Sequence, residues 1–348
     1  MNKETNPEQM YRAMQEKLGH LVPDFELRLK ADLAAEINWL KKEKNAVILG
    51  HNYMEPALFN SVPDFVGDSL ELARKAAQTE KEIIVFCGVR FMAETAKILN
   101  PSKKVLLPSE KAGCSLAASI TADDVRELKR RFPGVPVVSY VNTYADVKAE
   151  SDICCTSGNA VAVVESLKSE TVIFLPDEYL ARNVAKETGK RIIFPGAAND
   201  EAPNNGSGFE MIGWRGRCEV HDKFTVEDVT NVRRQFPDVS ILAHPECSPE
   251  VVAISDFSGS TGAMIKHVEN TSAPRYLLLT ECAMGDNIAA ANPDKEMLRL
   301  CSVRCPHMNS ITLEDTLESL RKEQFLIDIP PSILQRAARA VERMISIG

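Results

Sequence analysis

The chain has 348 residues, of which 44% are hydrophobic and 26% charged, and its formal net charge is −8. That length exceeds one comfortable core and asks for two or three domains of ordinary globular composition. The acidic balance without a basic tract argues against nucleic acid, no apolar run reaches membrane length, and Met1 to Gln15 lacks a signal-peptide core, so a cytoplasmic protein is expected.

Residues 1–45 read as a helical extension. The first apolar run then ends in Gly50-His51-Asn52-Tyr53, and after a loop Asp68-Ser69 opens a stretch of helical composition. A second strand is predicted at 83–86, a helix at 91–99 and a short strand at 105–107. Thr121, with Asp123 and Asp124 behind it, caps a closing helix, since a threonine at the N-cap satisfies a free N–H and acids suit the helix dipole.

The same series then recurs twice. The run 137–143 carries Tyr140 and Asn142, Asp152 precedes Thr156-Ser157, strands are predicted at 172–175 and 191–194, and Thr225 caps the closing helix. The run 240–246 ends in His244-Pro245-Glu246, Asp256 precedes Ser260-Thr261, a strand is predicted at 276–279 with a weak third near 297–300, and Thr312 is the cap. Strands alternating with helices imply parallel sheets with right-handed crossovers. The expected fold is therefore α/β: three pseudo-threefold-related three-layer α/β/α domains with small parallel sheets and a site at their central junction. The boundaries fall at 46–133, 134–237 and 238–326, with 327–348 forming a C-terminal helix.

Nine cysteines in a reducing compartment point to buried thiols or metal ligands rather than disulfides. Cys114, Cys218 and Cys305 each stand seven residues before the capping threonine of their repeat, so a threefold arrangement would bring their thiols to one centre. Cys87, Cys154, Cys155, Cys247, Cys282 and Cys301 have no such equivalence and read as packing residues or incidental neighbours of the site, with the spacing of Cys301 from Cys305 leaving it open as an alternative ligand. Three thiolates with an uncommitted fourth position suit zinc with a water, or a [4Fe-4S] cluster with one open iron. Spacing alone leaves both open.

Ligands of open α/β sheets sit beyond the carboxyl ends of the strands. Those ends offer His51, Asn52, Tyr53, Tyr140, Asn142, His244 and Glu246, groups able to exchange protons or donate hydrogen bonds. Ser69, Thr156, Ser157, Ser260 and Thr261 mark predicted helix starts, which favour anions. There is no GxGxxG fingerprint and no Walker loop, so no nucleotide cofactor is indicated.

From about residue 35 to the end these pieces resemble quinolinate synthase. The likeness rests on Gly50-His51-Asn52-Tyr53, Gly67-Asp68-Ser69-Leu70-Glu71-Leu72-Ala73, Gly88-Val89-Arg90-Phe91-Met92-Ala93-Glu94-Thr95, Tyr140-Val141-Asn142-Thr143, Thr156-Ser157, Val220-His221, His244-Pro245-Glu246, Gly259-Ser260-Thr261-Gly262 and Cys305-Pro306, in that order. The resemblance implies condensation of iminoaspartate with dihydroxyacetone phosphate to quinolinate, with loss of phosphate and water. It implies one [4Fe-4S] cluster per chain on Cys114, Cys218 and Cys305, and a partner enzyme that supplies iminoaspartate by oxidising or dehydrogenating aspartate. It places His51, Tyr53, Ser69, Tyr140, Asn142, Ser157, His244, Glu246, Ser260 and Thr261 in the substrate cavity. Glu246 and Tyr53, with His51 and His244, are then the proton-transfer candidates. Two departures stand out: Cys301 and Cys305 replace a CxxCxxC run found in some relatives, and the segment from Gly196 to Trp214 is longer than its counterpart before Cys114. The rival readings are another cluster-dependent hydro-lyase and a non-catalytic ligand-binding protein with structural zinc.

Overall fold

The computed structural model describes residues 6–195, 210–300 and 303–348. The first sheet contains β1 (Ala46–His51), β2 (Phe65–Gly67), β3 (Ile83–Cys87) and β4 (Lys104–Leu106), in the order β2-β1-β3-β4. The second contains β5 (Val137–Tyr140), β6 (Ile153–Cys155), β7 (Val172–Leu175), β8 (Ile192–Ile193) and β9 (Met211–Gly213), in the order β6-β5-β7-β9-β8. The third contains β10 (Val239–Ala243), β11 (Phe257–Ser258), β12 (Arg275–Leu279) and β13 (Glu296–Leu298), in the order β11-β10-β12-β13. Every strand pair within the three sheets is parallel. Helices cover the faces, so β1, β3, β5 and β7 are buried along their whole length. Their unbroken apolar runs follow from this burial on both faces.

The repeats agree down to single hydrogen bonds. Asp64, Asp152 and Asp256 each accept a bond of 2.8 Å from a backbone N–H of the first strand, at Ile48, Val137 and Ile241. Each aspartate introduces a strand of two or three residues and then a polar pair, Asp68-Ser69, Thr156-Ser157 or Ser260-Thr261. The equivalent of Asp152 and Asp256 is therefore Asp64, and Asp68 takes the place of Thr156 and Ser260. The closing helices Ala122–Arg131, Val226–Gln235 and Leu313–Lys322 begin in the same way, with reciprocal capping boxes between Thr121 and Asp124, Thr225 and Asp228, and Thr312 and Asp315. Such a cap is worth about 1 kcal/mol, and it fixes the direction in which the preceding cysteine turn enters each helix.

The second repeat departs from the expected strand order. The strand beside β7 is β9, not the run near 191–194, and it occupies the place that β4 and β13 take beside β3 and β12. β8 is an additional edge strand. Met211 and Ile212 are fully buried, so the end of the long segment before Cys218 is core. The rest of that segment, 196–209, and Cys301 lie outside the described residues. Helices Pro7–Leu18 and Asp24–Glu43 pack beside the first repeat, and helix Pro331–Ile345 closes the chain, burying Ala337, Ala340, Val341 and Met344 in the largest core.

Candidate active site

The first strand of each repeat delivers its polar residues to one place. His51 and Tyr53 at the end of β1, Tyr140 and Asn142 at the end of β5, and His244 and Glu246 just beyond β10 all line a single cavity. Cys114, Cys218 and Cys305 line it too, as do Ser69, Ser157 and Thr261. Ser260 does not reach this wall. Its hydroxyl donates to Asp68 Oδ2 at 3.0 Å and accepts from the Ala263 N–H, so it stands behind Asp68, which lines the cavity. Among the described residues, no lysine or arginine lines the cavity.

His51 and His244 are held alike. The Tyr53 N–H donates to His51 Nδ1 at 3.2 Å, and the Glu246 N–H donates to His244 Nδ1 at 3.3 Å. A neutral imidazole that accepts at Nδ1 carries its proton on Nε2. Burial lowers His51 to about 4 and His244 to about 3, so both rings are neutral near pH 7 and present an N–H. That of His244 donates to Ser157 Oγ, 3.1 Å away.

Glu246 is the centre of the polar network. Asn142 Nδ2 donates to its Oε1 at 3.1 Å, and the Tyr140 hydroxyl donates to the same carboxylate. Burial pushes the Glu246 carboxyl up, but His221, His244 and Tyr140 outweigh it and hold it below the usual carboxylate range. Burial, followed by the Glu246 charge, pushes Asp177 far up. Two nearby carboxyls are thus shifted in opposite directions, Glu246 down and Asp177 up. Burial likewise raises the phenols of Tyr53 and Tyr140, which stay hydrogen-bond donors.

Two residues that the strand-end rule did not single out complete this network. His221 Nδ1 lies 2.6 Å from Glu246 Oε2, yet off the line of a hydrogen bond, so this buried nitrogen has no hydrogen-bond partner. Its Nε2 is 2.9 Å from Thr280 Oγ1, and Thr280 is bonded in turn to the Tyr53 hydroxyl. Tyr53 and Glu246 therefore sit at the two ends of one chain of polar contacts. Thr280 follows β12 directly, so extending the rule to second strands would have found it. His221 had the signal of standing three residues after Cys218.

The three cysteines occupy one repeated turn. The carbonyls of Cys114, Cys218 and Cys305 accept from the N–H four residues on, at 3.0, 2.9 and 3.0 Å. A single 3₁₀ turn follows each: Ala117–Ser119, His221–Lys223 and Met308–Ser310. All three are free thiols. Burial raises Cys114 to about 12 and Cys305 to about 11, and raises Cys218 strongly, while nearby backbone N–H groups of each turn favour the thiolate. A cation arriving at these sulfurs would displace their protons.

Among the described residues, the donor atoms lying within 4.8 Å of one another belong to Cys218, His221 and Glu246. With the unpartnered His221 nitrogen, they make the cavity fit for a metal centre. The three cysteine sulfurs do not form such a group, although one zinc ion with bonds of about 2.3 Å would draw them that close.

An ionised carboxylate among neutral imidazoles, beside sulfur donors at the ends of parallel strands, is equipment for moving protons at a metal, and it defines an α/β enzyme. Sequence comparison carries this further. The profile of the NadA family, described as Quinolinate synthetase A protein, matches residues 35–346, and the chain belongs to this family. It is 52% identical over 332 residues to Quinolinate synthase 2 of Mesorhizobium japonicum, covering 95% of this chain and 96% of that protein. It is 51% identical to Quinolinate synthase of Sinorhizobium fredii, covering 95% and 87%, and 49% identical to that of Xylella fastidiosa, covering 95% and 92%. Among the described residues no helix is long and apolar enough to cross a membrane.

Proposed function

We propose that the chain is a cytoplasmic quinolinate synthase of NAD biosynthesis, condensing iminoaspartate with dihydroxyacetone phosphate and releasing phosphate and water. The repeats 46–133, 134–237 and 238–326 each give one ligand, Cys114, Cys218 and Cys305, to a [4Fe-4S] cluster. The observation that carries this reading is that these three thiols, equivalent by offset, share one cavity with Glu246. The cluster, when bound, supplies an open iron that acts as a Lewis acid toward a departing hydroxyl or a carbonyl.

The substrates bring carboxylates and phosphate to a cavity that, among the described residues, has no lysine or arginine in its lining. Ser69 and Thr261 bring the starts of helices Ser69–Gln78 and Thr261–Asn270 to the cavity, where the helix dipole favours anions, while Asp68 and Ser260 already take the N–H groups of Leu70, Glu71 and Ala263. Ser69, Ser157 and Thr261 add hydroxyls, and the Nε2–H groups of His51 and His244 add neutral donors. Tyr140 and Asn142 orient Glu246. The Glu246 carboxylate takes a proton from the condensing substrate, and Tyr53 returns one to a carbonyl or hydroxyl oxygen. His221 and Thr280 lie between them, and a turn of the His221 ring onto Glu246 would complete a hydrogen-bonded path for the proton. Iminoaspartate must come from an enzyme that oxidises or dehydrogenates aspartate.

The deciding experiment is anaerobic incubation of the iron- and sulfide-containing protein with oxaloacetate, ammonia and dihydroxyacetone phosphate. Quinolinate should form. Dehydration of a hydroxy acid without quinolinate would favour the hydro-lyase reading, and stoichiometric zinc without sulfide would favour the structural one.

A further inference from the structure

The three cysteine turns share a connection that the chemistry above does not use. His307 stands two residues after Cys305. Its Nδ1 lies 3.3 Å from the carbonyl oxygen of Lys111, three residues before Cys114. Because a carbonyl only accepts, that nitrogen donates. Its Nε2 lies 3.2 Å from Oε1 of Glu219, the residue after Cys218. A Cβ added to Gly113 would meet His307 Nδ1 at 3.6 Å and Cε1 at 3.7 Å, so the imidazole rests on the backbone just before Cys114. One side chain therefore touches the cysteine turns of all three repeats. His307 and Glu219 line the cavity beside the thiols, and their side chains are 29% and 39% exposed. The pair thus forms part of the cavity's outer wall.

We propose that His307 is a clasp that ties the three cysteine turns together and screens their thiols from reagents in solvent. It acts as a positioning residue, since it reaches the cysteines through their turns. The proposal rests on Cys114, Cys218 and Cys305 being the ligand set proposed above. The geometry suits a clasp because the turns come from three separate sheets, and their mutual placement depends on links that cross the repeats. His307 makes two such links from one ring, a hydrogen bond from Nδ1 to a backbone carbonyl and a contact of Nε2 with a carboxylate that becomes an ion pair when the ring is protonated.

Thiol access is measured first, in the metal-free full-length chain. Iodoacetamide labelling of Cys114, Cys218 and Cys305 is read residue by residue by mass spectrometry, with Cys87 and Cys154 as internal controls. His307→Ala should label the three thiols roughly three- to tenfold faster, as loss of contacts of modest net strength implies, with the controls unchanged. Glu219→Ala, at an exposed carboxylate, should act in the same direction and serves alone if His307→Ala does not fold. The double substitution should fall short of the product of the two effects, because both break one connection. Equal labelling of the variants and the unsubstituted chain, or fully multiplicative effects, overturns the clasp. In the anaerobic holoprotein, a ferrous chelator should draw iron from His307→Ala faster by a similar factor, and an equal rate counts against the proposal. Absence of iron and sulfide from the unsubstituted protein refutes the cluster instead, and labelling of the metal-free chain still decides the clasp.

Discussion

His221 Nδ1 lies 2.6 Å from Glu246 Oε2, and both side chains are buried. The contact joins a residue that follows a cysteine turn of the second repeat to the strand-end carboxylate of the third. It makes Glu246 a group whose charge is set by partners from several strands, with Asn142 and Tyr140 on its other side.

Glu246→Gln keeps the shape and the Asn142 contact but removes the base. Turnover should fall by about 10²–10⁴, while iron and sulfide stay at the unsubstituted level. Quinolinate formation measured beside metal content checks this, and near-normal turnover in a fully loaded variant excludes the role.

Thr280→Val removes the hydroxyl that links Tyr53 to His221 while keeping its volume. The expected loss in kcat is about 10² if protons travel this way, with a smaller change in KM because Thr280 does not line the cavity. Thr280→Ser should restore most of the rate. A Val variant as active as the Ser variant would show that the chain of contacts is structural.

Acid should destabilise the metal-free protein through these same groups. His51 and His244 have folded-state pKa values of about 4 and 3, against an ordinary value of 6.5, chiefly through burial. Between pH 6.5 and 4 the unfolded chain binds protons that the folded chain refuses. The stability is therefore fully present above 6.5 and lost as pH falls toward 4. Glu246, also held low, acts in the same direction at lower pH. Thermal melts from pH 7.5 to 4.5 should show a falling midpoint, and His51→Gln should flatten the upper part of that fall. A parallel curve for the variant would place the acid sensitivity elsewhere.

Much of this site was legible in the chain. The seven-residue offset from Thr121, Thr225 and Thr312 selected three cysteines that the fold brings to one cavity, because capped helix starts are local signals. The strand ends His51, Tyr140 and His244 were legible for a similar reason, since the apolar runs give way to polar residues where the strands reach the cavity. Asp64 was missed because β2, β6 and β11 have only two or three residues, too few to show a period. β9 was hidden behind a long insertion that left its three residues looking like the end of a loop. The joining of His221 to Glu246 is a product of tertiary packing alone, as is the meeting of His307 with Glu219, and neither pair is near in sequence.

Whether the three equivalent thiols hold a cluster is decided by anaerobic iron and sulfide analysis across a cysteine-to-alanine series, with folding followed by circular dichroism. Cys114→Ala, Cys218→Ala and Cys305→Ala should each fold yet lose a stable cluster and quinolinate formation, because two thiolates hold it poorly. Cys87→Ala, Cys154→Ala, Cys155→Ala, Cys247→Ala and Cys282→Ala should keep the cluster, as should Cys301→Ala. A folded Cys114→Ala, Cys218→Ala or Cys305→Ala with full iron and sulfide would refute the ligand assignment.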